Sequence, residues 1–171
     1  WTWTMTSPEG RQRSVVLDTR GRTVEQRSPG MASGHYSYDA AGRPLRAWQT
    51  DSSGETRELA LTYDAGSGYL RTVSDESGAA SRFTRDAFGR TETATVGWDL
   101  AGDAPGPDAT VTSLRWDLTG NLTGLTPPGT PEHRMRYGVR GDLTAHDTPP
   151  ADGEQQRTAW TRDGDDRGSQ T

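Results

Sequence analysis

The stretch YSYDAAGRPL, residues 36–45, contains two tyrosines, an aspartate and, three residues after the aspartate, a glycine. Aspartate in the first position and glycine in the fourth is a preferred composition of a type I turn. The aspartate side chain can accept hydrogen bonds from backbone amides of the turn, and glycine tolerates the backbone angles that reverse the chain. The stretch therefore predicts a short strand followed by a tight turn.

The same pattern recurs along the whole chain, which makes this turn one copy of a repeat. Seven copies align on the aspartate position, here called the anchor, at spacings of 21, 25, 22, 31, 21 and 25 residues. The anchor and turn-glycine positions are Asp18 and Gly21, Asp39 and Gly42, Asp64 and Gly68, Asp86 and Gly89, Asp117 and Gly120, Gly138 and Gly141, and Asp163 and Asp166. A fixed period of this size is the signature of a repeat array.

The residues before each anchor alternate in polarity, which predicts a strand with one buried face. The position directly before the anchor, here called the aromatic slot, holds a ring in four copies. In chain order the slot contains Leu17, Tyr38, Tyr63, Arg85, Trp116, Tyr137 and Arg162, and Tyr36 shares the face of Tyr38. We expect these side chains to form a column, with ring against ring and the two arginines lying flat on neighbouring rings.

A second set of turn signals lies between the anchors. These segments close at Gly10, Gly54, Gly78, Gly129 and Gly153. One repeat is therefore predicted to be a strand, a tight turn, a return strand and a looser turn. The fold class that follows is all-β, an antiparallel meander of about a dozen short strands with almost no helix. A strand is expected to end at each anchor. Residues 97–111 are predicted to be a loop or hairpin inserted into a single array that spans residues 1–171.

Composition indicates that the repeats depend on each other. Hydrophobic residues make up 29% of the chain, beside 21 glycines and 10 prolines, which is unfavourable for a self-contained core. Aromatic residues make up 8%, which argues against disorder. Because such a unit cannot bury its face alone, the stack of repeats is expected to form the core, and a fragment of two repeats should lose cooperative folding.

Charge and residue usage exclude several classes of function. The net charge is −5, and all 19 basic residues are arginine. No net-basic face is visible in the sequence, so we expect no nucleic-acid partner. No apolar run approaches the length of a membrane span, about 20 residues. Cysteine is absent, which excludes disulfides and thiolate metal sites. The chain begins at Trp1, and we interpret it as an internal or processed piece of a longer protein.

The pattern Tyr-x-Tyr-Asp-x-x-Gly-Arg-x-Leu at a spacing near 21 resembles the YD repeat, also called the RHS repeat. This repeat occurs in bacterial Rhs polymorphic toxins, in the shell of the Tc toxin BC component and in teneurins. The resemblance covers essentially the whole chain, and residues 36–45 are the best copy. It implies a β-sheet wound spirally into a hollow shell that encloses a C-terminal toxin or effector domain, or that presents a cell-surface module.

The resemblance also implies partners and a location. The partners would be the remainder of the shell, the enclosed cargo and components of a secretion system, in a bacterial protein that is secreted or at the cell surface. Family shells contain many more than seven repeats. The family's C-terminal signature around Asp-Pro-x-Gly, which is linked to self-cleavage, is absent here. We therefore interpret the chain as a stretch of shell wall.

Two short motifs have less specific explanations. Residues 140–142 read RGD, but Gly141 is the turn glycine of the sixth repeat, so we interpret the tripeptide as turn sequence rather than as an adhesion site. Residues 121–123 form a glycosylation sequon. Asn121 occupies the slot that holds arginine in other repeats, which favours a chance match.

Polar clusters give no clear catalytic or metal site. The acidic run at 163–166 could begin a calcium loop, but no glutamate follows at the bidentate position. Three aspartates in the insertion could act as acid and base, although solvated side chains are the simpler interpretation. These aspartates are Asp99, Asp103 and Asp108. The three histidines, His35, His133 and His146, lack metal-ligand spacing. His35 and His133 lie on the approaches to strands, and we expect cross-strand contacts for these two.

Three functions remain open from the sequence. The first is a structural role as shell wall. The second is a binding module for carbohydrate or for cell-surface adhesion, because the six tryptophans and the arginines would suit ligand stacking. The third is an enzyme, which lacks a catalytic constellation, so we predict no catalytic, cofactor or metal site. Aromatic-slot residues that face other repeats favour the shell, and an exposed row of tryptophans favours the binding module.

Overall fold

A computed structural model describes residues 1–150, 156–162 and 168–170. The strands are β1 (Thr2–Thr6), β2 (Gln12–Leu17), β3 (Thr23–Arg27), β4 (Gly34–Tyr38), β5 (Pro44–Thr50), β6 (Thr56–Tyr63), β7 (Leu70–Asp75), β8 (Ala80–Arg85), β9 (Thr91–Asp99), β10 (Ala104–Trp116), β11 (Leu122–Thr126), β12 (His133–Tyr137), β13 (Leu143–Asp147), β14 (Arg157–Arg162) and β15 (Gly168–Gln170). Gly153, Asp163 and the acidic run at 163–166 lie outside the described residues.

Every second strand ends at an aromatic slot. Strands β2, β4, β6, β8, β10, β12 and β14 each stop one residue before an anchor position. The described residues contain no helix, and none of them therefore forms a helix long and apolar enough to cross a membrane. The predicted all-β fold, with strands that end at the anchors, is confirmed.

The chain divides into two compact units. The first contains Trp1–Ser81 and Asp99–Ala104, and the second contains Arg82–Trp98 and Pro105–Thr171. Within the first unit, β1 to β7 lie in chain order and each strand pairs with the next in antiparallel fashion. Within the second unit the strands also follow chain order, and the pairs from β10 to β15 are antiparallel. Each unit is a meander.

The anchor turns share one backbone geometry. At Asp39, the Gly42 N–H donates to the Asp39 carbonyl at 3.0 Å, and the Asp39 N–H donates to the Arg43 carbonyl at 2.9 Å. Gly42 has a φ of 89°, a left-handed angle that glycine adopts without a steric cost. The anchor turns at 18, 86, 117 and 138 have the same two bonds, and the turn at 64 is one residue longer.

A bulge follows five of these turns, which the alternation of the sequence did not predict. In the second repeat, Tyr38 pairs with Pro44 whereas Ser37 pairs with Arg46, so Leu45 is an extra residue in the return strand. The same shift occurs where β2, β6, β10 and β12 pair with their return strands. A β-bulge increases the local twist of the strands.

The turns between anchors correct one expectation, because three of them are as tight as the anchor turns. The Asp51 N–H donates to the Glu55 carbonyl at 2.9 Å, and the Gly54 N–H donates to the Asp51 carbonyl at 3.1 Å. The turns that begin at Ser7 and Asp75 have the same pair of bonds. Aspartate or serine in the first position supplies the same capping chemistry at both ends of the hairpins, so the prediction of looser turns was wrong here.

The inserted segment is mostly strand. Residues 97–111 comprise the end of β9, a turn and the beginning of β10, which at 13 residues is the longest strand described. The turn contains Asp103, the non-glycine residue with a positive φ among the described residues, at 46°. The Asp99 carboxylate caps this turn by accepting a hydrogen bond from the Ala101 N–H at 2.9 Å.

Little of the chain is buried. The chain exposes 11851 Å², whereas a compact protein of this mass exposes about 8,200 Å². Among the described residues, the buried hydrophobic side chains are those of Ala80 and Ala145. Stability must therefore come from strand pairing and from contacts between side chains on the sheet rather than from a thick core.

The shared turn geometry predicts a selective cost for alanine at the turn glycines. Gly120 has a φ of 95°, and a Cβ there would meet no atom within 4 Å, so Gly120→Ala isolates the cost of the left-handed angle. We expect a loss of about 1–2 kcal/mol, which lowers the melting temperature by about 2–4 °C per kcal/mol. Gly66→Ala, in a turn but without a positive φ, is the control. Equal thermal transitions for the two variants, measured by circular dichroism, would contradict the assignment.

Candidate functional site: the inter-repeat clamp

The second anchor turn holds its arginine in a fixed position. The backbone N–H of Arg43 donates to Oδ1 of Asp39 at 2.8 Å, and the side-chain Nε donates to Oδ2 at 2.7 Å. One carboxylate therefore caps the turn with one oxygen and orients the guanidinium with the other. Hydrogen bonds between charged partners of this kind are stronger than neutral ones.

The same guanidinium reaches the next repeat. Nη1 of Arg43 donates to the Gly68 carbonyl at 3.0 Å, and Cζ lies 4.4 Å from the ring centroid of Tyr63. The Tyr63 hydroxyl returns a bond of 2.7 Å to the carbonyl of Pro44, directly after the arginine. We call this set, the aspartate and arginine of one turn and the ring of the next aromatic slot, an inter-repeat clamp.

An equivalent clamp joins the first and second repeats. Arg22 donates to the Asp18 carboxylate through its backbone N–H at 3.0 Å and through Nε at 2.8 Å. Its Cζ lies 4.6 Å from the Tyr38 ring, and Nη1 lies 3.4 Å from the Asp39 carbonyl. The Tyr38 hydroxyl donates to the Thr23 carbonyl at 2.7 Å.

A third clamp, in the second unit, uses tryptophan. Arg90 donates to the Asp86 carboxylate through Nε at 2.7 Å and to the Asp117 carbonyl through Nη1 at 2.6 Å. Its Cζ lies 5.7 Å from the Trp116 ring, whose Nε1 donates to the Thr91 carbonyl at 2.7 Å. An indole N–H thus takes the place of the tyrosine hydroxyl and contacts the equivalent carbonyl.

The next step keeps only part of the clamp. Asn121 stands in the arginine position and donates to the Asp117 carboxylate through its backbone N–H and through Nδ2, both at 2.9 Å. The Tyr137 hydroxyl still donates to the Leu122 carbonyl at 2.9 Å. The short amide preserves the bonds inside the turn. Asn121, the first residue of the predicted sequon, therefore has a structural role in this turn.

Three repeats depart from the pattern in other ways. The sixth anchor is Gly138, whose N–H donates to the Asp142 carbonyl at 2.8 Å while the Gly141 N–H donates to the Gly138 carbonyl at 2.9 Å, so the RGD tripeptide is part of this turn. In the third repeat Tyr69 stands in the arginine position, and in the fourth Arg85 fills the aromatic slot. The Arg85 guanidinium donates to the Thr91 hydroxyl. Arg162 is the last residue of β14.

Hydrogen bonds in the clamps keep the anchor carboxyls ionised. The backbone N–H and then the side chain of Arg22 lower the pKa of Asp18, and the Arg90 side chain does so most strongly for Asp86. Bonds from the side chains of Asn121 and Thr119 lower the pKa of Asp117 to about 2.

The structure corrects the predicted column of rings. Aromatic slots recur on every second strand, so neighbouring slots are about 10 Å apart at the usual strand spacing. That separation is too large for direct ring contact, which requires centroids within about 7 Å. A guanidinium fills the space instead, as Arg43 does beside Tyr63. Our predicted set of residues omitted these arginines, although Arg22, Arg43 and Arg90 all follow a turn glycine directly.

The three histidines and Asp103 have local partners. His133 and His146 stack at 5.3 Å, and His35 stacks on Trp48 at 5.4 Å. Asp103 forms an ion pair of 2.6 Å with Arg71. No group of three or more potential metal-binding side chains occurs within the described ranges.

No protein-family model matches the sequence, and no curated protein matches it. Solved structures do match the fold. The Tc holotoxin pore of Photorhabdus luminescens aligns with a TM-score of 0.74 at 13% identity, over 95% of this chain and 9% of that chain. The structure of TcdB2-TccC3-TEV gives 0.72 at 14%, over 92% and 9%, and TcdB2-TccC3 without its hypervariable C-terminal region gives 0.66 at 14%, over 96% and 10%.

At these identities the likeness concerns the fold. The chain has the fold of a section of the Tc toxin chains, and it spans about a tenth of their length. The resemblance to YD-repeat shell proteins that the sequence indicates is confirmed at this level.

The clamp predicts that arginine acts between repeats as well as within its turn. Arg43→Ala removes both sets of contacts, and we expect a loss of about 2–3 kcal/mol in the free energy of unfolding. Arg43→Asn should recover about 1 kcal/mol, because asparagine keeps the bonds to the anchor aspartate, as at Asn121. Arg13→Ala, at an exposed position on β2, is the control in urea denaturation. An Arg43→Asn variant as stable as the unmodified chain would show that the guanidinium makes no effective contact with the next repeat.

The lowered pKa of Asp117 predicts acid sensitivity. Its folded pKa of about 2 lies below the usual unfolded value of about 3.9. The carboxylate therefore contributes stability above pH 4, and this contribution is lost as the pH falls from about 4 to about 2. Asp117→Asn should be less stable near neutral pH and depend less on pH in that window. Asp108→Asn, at an exposed position on β10, should follow the unmodified chain. Parallel acid-unfolding curves for all three proteins would contradict this role.

Proposed function

We propose that this chain is a section of the wall of an Rhs-type shell, which encloses or presents a toxin or effector cargo, and that its role is structural rather than catalytic. The parent would be a bacterial protein that is secreted or at the cell surface. Its partners would be the rest of the shell, the cargo and components of a secretion system. The likeness of the fold to Tc toxin chains supports this proposal.

The observation that carries the proposal is the direction in which the clamps point. Arg43 donates to the Gly68 carbonyl and lies over the Tyr63 ring of the next repeat, and the Tyr63 hydroxyl donates back to the Pro44 carbonyl. Each clamp therefore joins one repeat to the next. A further repeat could be added to such an array through the same contacts, and the array leaves much of its surface exposed. Because each repeat contacts its neighbours through the same bonds, such repeats are suited to building a long wall.

The binding-module alternative has weaker support. The ring of Trp48 stacks on His35 and has Arg46 at 4.8 Å, and Arg82 lies 5.0 Å from the Trp98 ring. These contacts occupy ring faces that a sugar would need. The observation in favour of a binding module is the exposure of two tryptophans: Trp1, directly before β1, is 82% exposed, and Trp3, on β1, is 66% exposed.

The proposal is tested on the native full-length protein that contains this chain. Electron cryomicroscopy should show an enclosed volume with these strands continuous with its wall, and the cargo should resist added protease. Weakening two clamps through Arg43→Ala and Arg90→Ala should make the cargo accessible. An open array with no enclosed volume, or a glycan that binds the chain and is lost in Trp3→Ala, would contradict the wall function.

A further inference from the structure

The second unit gathers exposed arginines onto one face of its sheet. Arg115 pairs with Gly124, Gly124 with Arg134, Arg134 with Asp147, and Asp147 with Arg157. Paired residues of adjacent strands point to the same side, so these five positions form one row across β10 to β14. Arg136 lies two residues after Arg134 and shares its side of the sheet. We call the four arginines of this set the arginine face: Arg115, Arg134, Arg136 and Arg157.

One carboxylate lies between the first two arginines of the row. Glu132 accepts hydrogen bonds from Nη1 of Arg115 at 3.1 Å and from Nε of Arg134 at 2.8 Å. The space for it exists because position 124 is glycine, where a Cβ would lie 2.4 Å from Oε1 of Glu132. The Glu132 side chain is 17% exposed, whereas those of Arg115 and Arg134 are 71% and 63% exposed.

A second carboxylate fixes the other two arginines. Asp147 accepts bonds from Nε of Arg157 at 2.5 Å and from Nη2 of Arg136 at 3.2 Å. Its side chain is 2% exposed, against 60% for Arg136 and 54% for Arg157. The bonds from Arg157 and Arg136 lower the pKa of Asp147 to about 2, so the carboxylate stays ionised beneath them.

The low exposure of the two carboxylates determines the charge that this surface presents to solvent. The cluster contains four guanidinium groups and two carboxylates, so its charge is positive on a chain whose net charge is −5. Because the carboxylates are covered and the guanidinium groups are exposed, the groups that meet solvent are cationic. Each guanidinium has five N–H donors, and the bonds to the two carboxylates use only one or two of its nitrogens.

The neighbours of the arginine face favour a carboxylate-bearing ligand over a nucleic acid. Arg136 pairs with Ala145, and Ala145 pairs with Ala159 on the next strand. These are small residues without rings on which bases could stack. The net negative charge of the chain also disfavours a long polyanion. Guanidinium groups that are already fixed by less exposed carboxylates are well suited to short bidentate pairs with further carboxylates.

We propose that the arginine face is a docking surface for an acidic polypeptide segment of a partner. The carboxylates of that segment pair with the exposed N–H donors of Arg115, Arg134, Arg136 and Arg157. Half-buried Glu132 and buried Asp147 hold the guanidinium groups in place before the segment binds. This surface is independent of the clamps, because it uses no anchor turn and no aromatic slot.

The test measures binding of a short fluorescent oligo-glutamate peptide to the 171-residue chain at low ionic strength by fluorescence anisotropy. Arg115→Gln and Arg136→Gln should each weaken binding about tenfold, the cost of a lost charge-assisted contact. Arg115→Lys, which keeps the charge but not the planar fork, should weaken it less. Arg27→Gln is the matched control, since Arg27 is 59% exposed and paired with Glu25 on β3 in the other unit.

A second measurement needs no variant and remains valid if the substitutions unfold the chain. Bound peptide should protect the four arginines of the face from phenylglyoxal and should leave Arg27 reactive, as read by mass spectrometry. No peptide binding, equal binding by all variants or uniform protection of arginines would overturn the proposal. Tighter, face-dependent binding of a single-stranded oligonucleotide would replace the acidic segment with a nucleic acid.

Discussion

A guanidinium group held between a carboxylate of its own turn and a ring of the next repeat is the interaction on which this structure depends. In the clamp of Asp39, Arg43 and Tyr63, one cation satisfies the anchor carboxylate, a backbone carbonyl and an aromatic face. Burial raises the pKa of Tyr63, which keeps its hydroxyl protonated as a donor to the Pro44 carbonyl. The contacts between repeats are therefore polar and directional, in keeping with a chain that has few apolar residues.

The clamps act at one end of the hairpins only. The opposite turns at Asp51 and Asp75 have the same backbone bonds but are followed by Glu55 and Ala79. These turns close their hairpins, whereas the anchor turns also fix the spacing between repeats. The arginine face uses a different arrangement of charges, in which Glu132 and Asp147 lie beneath exposed arginines and, within the described residues, no aromatic ring takes part.

The sequence predicts the strands and turns well because aspartate and glycine act locally. The pairing of Asp39 with Gly42 defines a turn whatever the neighbouring strands do, so the ends of the strands follow from the pattern. The partner of each ring depends on the distance between strands, which the sequence pattern does not contain. The expectation of ring against ring was therefore wrong at the places where Arg22 and Arg43 lie. The signal was present, since both arginines directly follow a turn glycine. The row from Arg115 to Arg157 depends on register across five strands, which no local pattern contains.

The measurement that tests this account most directly is a double-mutant cycle on the free energy of unfolding, with Arg43→Ala, Tyr63→Ala and the pair combined. The two residues lie in successive repeats, so their coupling energy reports the clamp itself and not the stability of either turn. The account predicts a favourable coupling of about 1 kcal/mol, the order expected for a cation over a ring together with the bonds that position it. Additive single effects, with no coupling, would show that successive repeats are held together by strand pairing alone and would contradict the account.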